Sequence, residues 1–176
     1  LTLELSAFDT ENDFLFYNAS VDGNGSASID GATLTVTPNT NFNGDITVSV
    51  QVTDGNLTDE TSFTLTVAPI NDAPVIDAIL NQSTDEEEAL ILELSAFDID
   101  EDDLTYSASV DGNADADVNV TGTTLTVTPH LNFNGDITVL VEVTDGDLTD
   151  DTSFTLTVLP VNDAPVLDEI LPQNTN

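Results

Sequence analysis

A self-repeat with a period of about ninety residues limits what this chain can fold into more than any other feature. NFNGDITV at 41–48 returns at 132–139, TSFTLTV at 61–67 returns at 152–158, and NDAPV at 71–75 returns at 162–166. These pairs share one offset, 91 residues; earlier in the unit it is 89, with ELSAFD at 4–9 matching 93–98 and SVDGN at 20–24 matching 109–113. The two added residues are expected near Val118–Thr121, in a loop between strand-like segments, where insertions are tolerated. A period of this length is too long for most helical solenoids and suits small domains in tandem.

Within the unit, apolar residues alternate with period two, the mark of half-buried strands. Ile137, Val139, Val141 and Val143 alternate with Thr138, Leu140, Glu142 and Thr144, and Phe154, Leu156 and Val158 with Ser153, Thr155 and Thr157. Leu90, Leu92 and Leu94 predict another strand, and Tyr106, Ala108 and Val110 a further one. Shorter candidates lie at 75–80, 117–120 and 124–128. Asp111-Gly112, Asn134-Gly135 and Asp145-Gly146 supply the turns between them, and no window carries a helical stripe. About seven short strands per unit predict an all-β fold of tandem Greek-key β-sandwiches. The architecture resembles immunoglobulin-like domains, without the Cys-Trp-Cys core of antibody domains.

The complete unit is expected over 73–161. Residues 1–70 form a unit that starts at its second strand, and 164–176 restart a further unit with its first strand. One strand is missing in front and one is spare behind. Either the sequence is a stretch of a longer array, or Pro165–Leu171 of one protomer completes residues 1–70 of another by strand donation. The chain has no Met and opens inside a strand pattern. An internal fragment is therefore expected, with any signal peptide, anchor or catalytic domain outside it.

Charge removes several functions. There are 34 Asp and Glu, no Lys or Arg, and one His, for a formal charge of −34. Such a chain cannot neutralise phosphates as a nucleic-acid surface must, and it has no P-loop lysine or polybasic membrane patch. Without Cys there is no thiol chemistry, thiolate metal site or disulfide. Hydrophobic residues still make up 39% of the chain, so a core can form against the self-repulsion.

The acids are patterned. Asp98, Asp100 and Asp102 alternate along one loop, and their counterparts in the first unit are Asp9, Glu11 and Asp13. Asp145 before a glycine is mirrored by Asp54, the linker pair Asn71 and Asp72 by Asn162 and Asp163, and a further run covers Asp85–Glu88. Carboxylates at i and i+2 on an extended loop can converge on a hard cation, and calcium takes about six to eight oxygens. Magnesium, which keeps its waters, suits such a loop less. Structural zinc lacks its Cys ligands and has only His130, which aligns with Asn39 and reads as an exposed turn residue. The remaining acids read equally well as a solvated surface.

The ordered motifs resemble a bacterial cadherin-like tandem repeat, as found in large secreted adhesins and surface proteins of microbes. They are Glu88-Ala89-Leu90, the run Leu94-Ser95-Ala96-Phe97-Asp98-Ile99-Asp100-Glu101-Asp102-Asp103, Phe133-Asn134-Gly135, Val143-Thr144-Asp145-Gly146 and Val161-Asn162-Asp163-Ala164-Pro165-Val166. The resemblance covers essentially the whole chain. It implies calcium between successive domains, held by linker residues Asn71 and Asp72, the Asp98/Asp100 pair, the later-strand Asp145, and Glu87 or Glu88 from the early strand. It also implies extracellular or cell-surface placement. The linker is short in acidic ligands, so one ion per junction is expected rather than three, or an intradomain site on Asp98–Asp102.

These readings converge on a calcium-stiffened structural or adhesive module, without catalysis, in a secreted surface protein or extracellular filament. Its partners would be neighbouring repeats, copies of itself, and a cell-surface or glycan ligand, with no nucleic acid and no membrane insertion. The alternative is a carbohydrate-binding accessory module of an extracellular enzyme. Tyr17, Tyr106, Phe42 and Phe133 recur with the repeat and read as core or turn-packing residues rather than as a sugar platform. Catalytic carboxylates would normally be unique, whereas these repeat with the domain. Asn18, Asn24, Asn56, Asn81 and Asn119 head glycosylation sequons.

Overall fold

A computed structural model describes residues 1–112 and 115–172. The chain divides into two compact units, Leu1–Asn71 and Asp72–Asn176. Among the described residues there are strands and turns but no helix.

Unit 1 contains β1 (Thr2–Glu4), β2 (Phe16–Val21), β3 (Gly25–Asp30), β4 (Thr33–Pro38), β5 (Gly44–Thr53) and β6 (Thr58–Val67). They form two antiparallel sheets, ordered β1-β4-β3 and β2-β5-β6. Leu34 and Val36 of β4 meet Ile46, Val48 and Val50 of β5 in the core. The alternation that brings these residues to one face leaves Thr and Ser on the other, as a sandwich requires.

Unit 2 contains β7 (Val75–Ile76), β8 (Gln82–Asp85), β9 (Leu90–Glu93), β10 (Ala96–Phe97), β11 (Thr105–Val110), β12 (Ala116–Thr121), β13 (Thr124–Pro129), β14 (Gly135–Thr144) and β15 (Thr149–Leu159). Its sheets are β11-β14-β15-β8 and β12-β13-β9, with the short pair β10-β7 beside them. The core is larger, with Leu90, Leu125 and Val127 facing Val139, Val141, Phe154 and Leu156. At both Asn-Gly turns a phenylalanine covers a glycine held at positive φ. A Cβ on Gly135 (φ 139) would lie 3.5 Å from the Phe133 ring, and one on Gly44 (φ 117) 3.6 Å from the Phe42 ring.

Two expectations need correction. Val118–Thr121 lies inside β12 and is not the site of the insertion. Gly25 pairs with Pro38 and Ala116 with Pro129, so the offset has already reached 91 at the first residue of each strand. The two added residues therefore precede Ala116, between β11 and β12. The expected strand at 75–80 shrinks to the two residues of β7, antiparallel to β10, and the next strand, β8, begins beyond it at Gln82 and runs parallel to β15.

The two units differ along one edge. Phe154, Leu156 and Val158 of β15 are buried, while their counterparts Phe63, Leu65 and Val67 of β6 are only half-buried. Leu94 and Val143 are buried, whereas Leu5 and Val52 are half-buried. In unit 2 this edge is covered by β7 and β8; in unit 1 no strand among the described residues covers it.

Candidate metal centre

The alternation that turns Ala96 inward and Phe97 outward in β10 carries Asp98 inward at the strand's end. Asp98 is 5% exposed. Its Oδ1 accepts the main-chain amides of Asp100 at 2.8 Å and Asp102 at 3.4 Å, an aspartate turn that curls the loop back on itself. Glu101 completes the curl in the left-handed region at φ 63. As a result, carboxylate oxygens of Asp98, Asp100 and Asp102 lie within 4.8 Å of one another. Asp98 Oδ2 is buried and has no hydrogen-bond partner among the described residues.

Two further sequence candidates meet this cluster. The amide of Asp72 donates to Asp100 Oδ2 at 2.8 Å, which ties the first residue of unit 2 to the loop. Asp145 sits in the turn between β14 and β15, where its Oδ1 accepts the amides of Asp147 and Leu148, each at 2.7 Å. The Asp102 carboxyl is pushed above its ordinary value, first by loss of solvent and then by the charges of Asp98, Asp100, Asp145 and Asp103. A carboxyl raised on folding opposes folding once ionised. That cost is present above the folded value and disappears as pH falls below the ordinary carboxylate value. At neutral pH the ionised Asp102 carboxylate thus opposes folding, and a cation beside it would relieve that cost.

The donor set fits a divalent ion. It offers hard oxygens only, with one of them desolvated and unpartnered, which is costly unless something positive is supplied.

Unit 1 repeats the turn without gathering the acids as closely. Asp9 Oδ1 accepts the amides of Glu11 at 2.9 Å and Asp13 at 3.0 Å, with Asn12 at φ 62 where Glu101 stands in unit 2. Asp9 is only half-buried, however, and among the described residues it is the Asp98 trio whose carboxylates converge. Asp54 Oδ1 accepts the amides of Asn56 and Leu57, each at 2.7 Å, and these bonds, Leu57's first, hold its carboxyl below the ordinary value. Asn71 closes unit 1.

Glu87 and Glu88 are not brought to the Asp98 cluster. Both are exposed and follow β8, whose last residue pairs with Leu159 at the end of β15, whereas Asp145 precedes the start of that strand. An eleven-residue strand separates the two ends by roughly 35 Å. The acid that matters at this end is Glu86, which is 7% exposed and accepts the amide of Val161 at 2.6 Å. Sequence reading passed over it, although the alternation of β8, with Gln82 and Thr84 inward, points to it. The exposed Asn162 and Asp163 lie just beyond Val161.

Tyr106, Phe42 and Phe133 pack partly buried against the cores and Tyr17 is half-buried, so these four form no exposed platform. The His130 ring is half-exposed, 3.7 Å from Asp117.

Residues 71–159 match a bacterial Ig domain, and residues 3–68 match a cadherin-like domain. Human protocadherin-24 EC1-2 in its Form II crystal structure is 14% identical, with a TM-score of 0.58 over 93% of this chain and 88% of its own. A second structure of it gives 15% and 0.55 over 91% and 88%. An endo-fucoidan hydrolase of glycoside hydrolase family 107 is 19% identical with a TM-score of 0.40 over 92% of this chain, which spans only 26% of that enzyme's length. No curated protein matches the sequence. The protocadherin likeness is one of fold, and Ig-like and cadherin-like domains are characteristic of extracellular and cell-surface proteins. The chain belongs to the bacterial Ig domain family, and its units are Ig-like and cadherin-like β-sandwiches.

Proposed function

We propose that this chain is a calcium-stiffened structural or adhesive repeat module of a large secreted surface protein or extracellular filament. One atom supports this above all: Asp98 Oδ2, buried and unpartnered among three converging carboxylates. Calcium suits the site better than magnesium, because it accepts oxygen ligands in irregular geometry and does not demand a tight octahedron. Asp98, Asp100 and Asp102 hold the ion, with Asp145 beside them. Because the Asp72 amide is bonded to Asp100, the ion also fixes the point where the chain enters the repeat. Asp9, Glu11, Asp13 and Asp54 form a weaker counterpart, and Asn162 and Asp163 serve the repeat that follows.

On this reading residues 73–161 are a complete repeat, 1–70 a repeat without its first strand, and 164–176 the first strand of another. The partners are neighbouring repeats and other copies of the chain.

Calorimetric titration of the metal-free chain with calcium tests the proposal. Asp100→Ala should weaken binding while leaving the metal-free fold intact. A chain that takes up no calcium, or a variant that binds as well as the parent, would overturn it.

A further inference from the structure

Unit 2 joins a strand near its entry to the strand at its exit in a way that no other pair among the described residues repeats. The chain enters the unit at Asp72 and reaches β8 by way of β7, and it leaves the unit after β15. β8 lies parallel to β15, with Gln82 beside Leu156 and Asp85 beside Leu159, whereas the other strand pairs are antiparallel. A side-chain bond closes the row at either end. Asn81 Oδ1 accepts the Thr155 amide at 3.0 Å, and Glu86 Oε1 accepts the Val161 amide at 2.6 Å. Beside the second of these, the Glu86 amide donates to the Leu159 carbonyl at 2.8 Å. Glu86 is 7% exposed, so water competes poorly for its charge-assisted bond.

Tension between entry and exit draws β8 back toward Gln82 and β15 forward toward Leu159. Because the strands are parallel, they are drawn past each other along their length, and the bonds of the row share the load. An antiparallel pair pulled apart at adjacent ends gives way bond by bond instead. Val161 is the first residue of the row that a pull from the exit side reaches. Held by Glu86, it keeps β15 from being peeled away at Leu159, so the load stays directed along the strands.

We infer that β8 and β15 form a load-bearing clamp in unit 2, and that the buried Glu86 carboxylate fixes its exit end. β7, paired with β10 over two residues only, yields first, and the β8 row then carries the pull. The clamp deepens the structural-module reading and rests on it, but no residue of the Asp98 cluster takes part, so it stands apart from calcium.

The chain has no Cys, so pairs of introduced cysteines take pulling handles at chosen places. Ala73→Cys with Ala164→Cys pulls between entry and exit. Leu131→Cys with Ala164→Cys pulls at the end where Gly135 faces Val158 and opens β14 from β15 pair by pair. All three positions are exposed. Single-molecule stretching of the 176-residue chain, with chelator present and at one pulling rate, should need at least about twice the force in the first geometry, since forced unfolding follows the barrier met along the pull. Glu86→Ala should remove at least about a third of the entry-to-exit force and leave the unzipping force unchanged, because there the Glu86 bond is peeled away alone before the barrier. Glu86→Gln, which keeps an acceptor oxygen, should restore most of the loss. Equal forces in the two geometries would overturn the clamp. A Glu86→Ala chain that weakens both geometries alike, or neither, would overturn the part given to Glu86. None of these outcomes alters calcium uptake by the Asp98 cluster, so a failed clamp and a failed calcium site are told apart.

Discussion

Val161 donates its main-chain amide to Glu86 Oε1 at 2.6 Å, while the amide of Glu86 donates to the Leu159 carbonyl at 2.8 Å. This reciprocal pair clamps the end of β15 to the loop after β8. The Glu86 carboxylate is buried, so truncation removes a charge-assisted hydrogen bond that holds the chain just beyond β15. Glu86→Ala should cost about 1–3 kcal/mol of unit 2 stability. Glu87→Ala and Glu88→Ala, on the exposed neighbours, should stay within about 0.5 kcal/mol. Urea unfolding of the three variants separates the clamp from its neighbours.

Asp98→Asn should act in opposite directions with and without metal. The amide oxygen can still cap Asp100, while the amide nitrogen replaces the unpartnered Oδ2 and donates to a neighbouring carboxylate. The metal-free variant should gain about 1 kcal/mol. The parent at free calcium near 100 times its Kd gains about 2.7 kcal/mol. For a unit of this size that raises Tm by roughly 10–20 °C, and the variant should lose most of the rise. Thermal melts with chelator and with calcium read both signs; a variant that is weaker in both conditions would mark Asp98 as purely structural.

Phe63 and Phe154 are the same residue in the same strand of successive units, one half-buried and the other 3% exposed. Phe154→Ala should cost about 3–5 kcal/mol, as for a filled core position. Phe63→Ala, at the half-buried counterpart, should cost about half as much, because less apolar area returns to water. Chemical denaturation under dilute conditions measures the difference.

Much of this fold was legible because period-two alternation and Asx-Gly turns are local signals. Strands such as β14 and β15 follow from Ile137–Val143 and Phe154–Val158 alone. What escaped was set by partners. The segment Gln82–Asp85 has no apolar alternation of its own and becomes a strand because β15 offers it a parallel edge. The insertion was placed inside β12 because short polar segments align equally well in several registers, and only the pairing of Ala116 with Pro129 decides among them. In the candidate site, Asp98, Asp100 and Asp102 were readable from their i, i+2 spacing. Glu86 was hidden in a run of four acids, where type says nothing and only the inward phase of β8 singles one out.

The diffuse charge and the patterned charge should separate by their response to salt. With a formal charge of −34 and no Lys or Arg, the folded chain is opposed by long-range repulsion over its whole surface. Raising monovalent salt from about 0.1 to 1 M shortens the screening length from about 10 to 3 Å. This should stabilise the metal-free parent and Asp98→Asn to similar extents, since one charge in so many alters the total little. Millimolar calcium, which contributes little to the ionic strength, should stabilise the parent alone. Melting curves along both titrations check this. An equal response of parent and variant to calcium would mean that the ion merely screens the surface, and the Asp98 cluster would then be no more than the densest part of that surface.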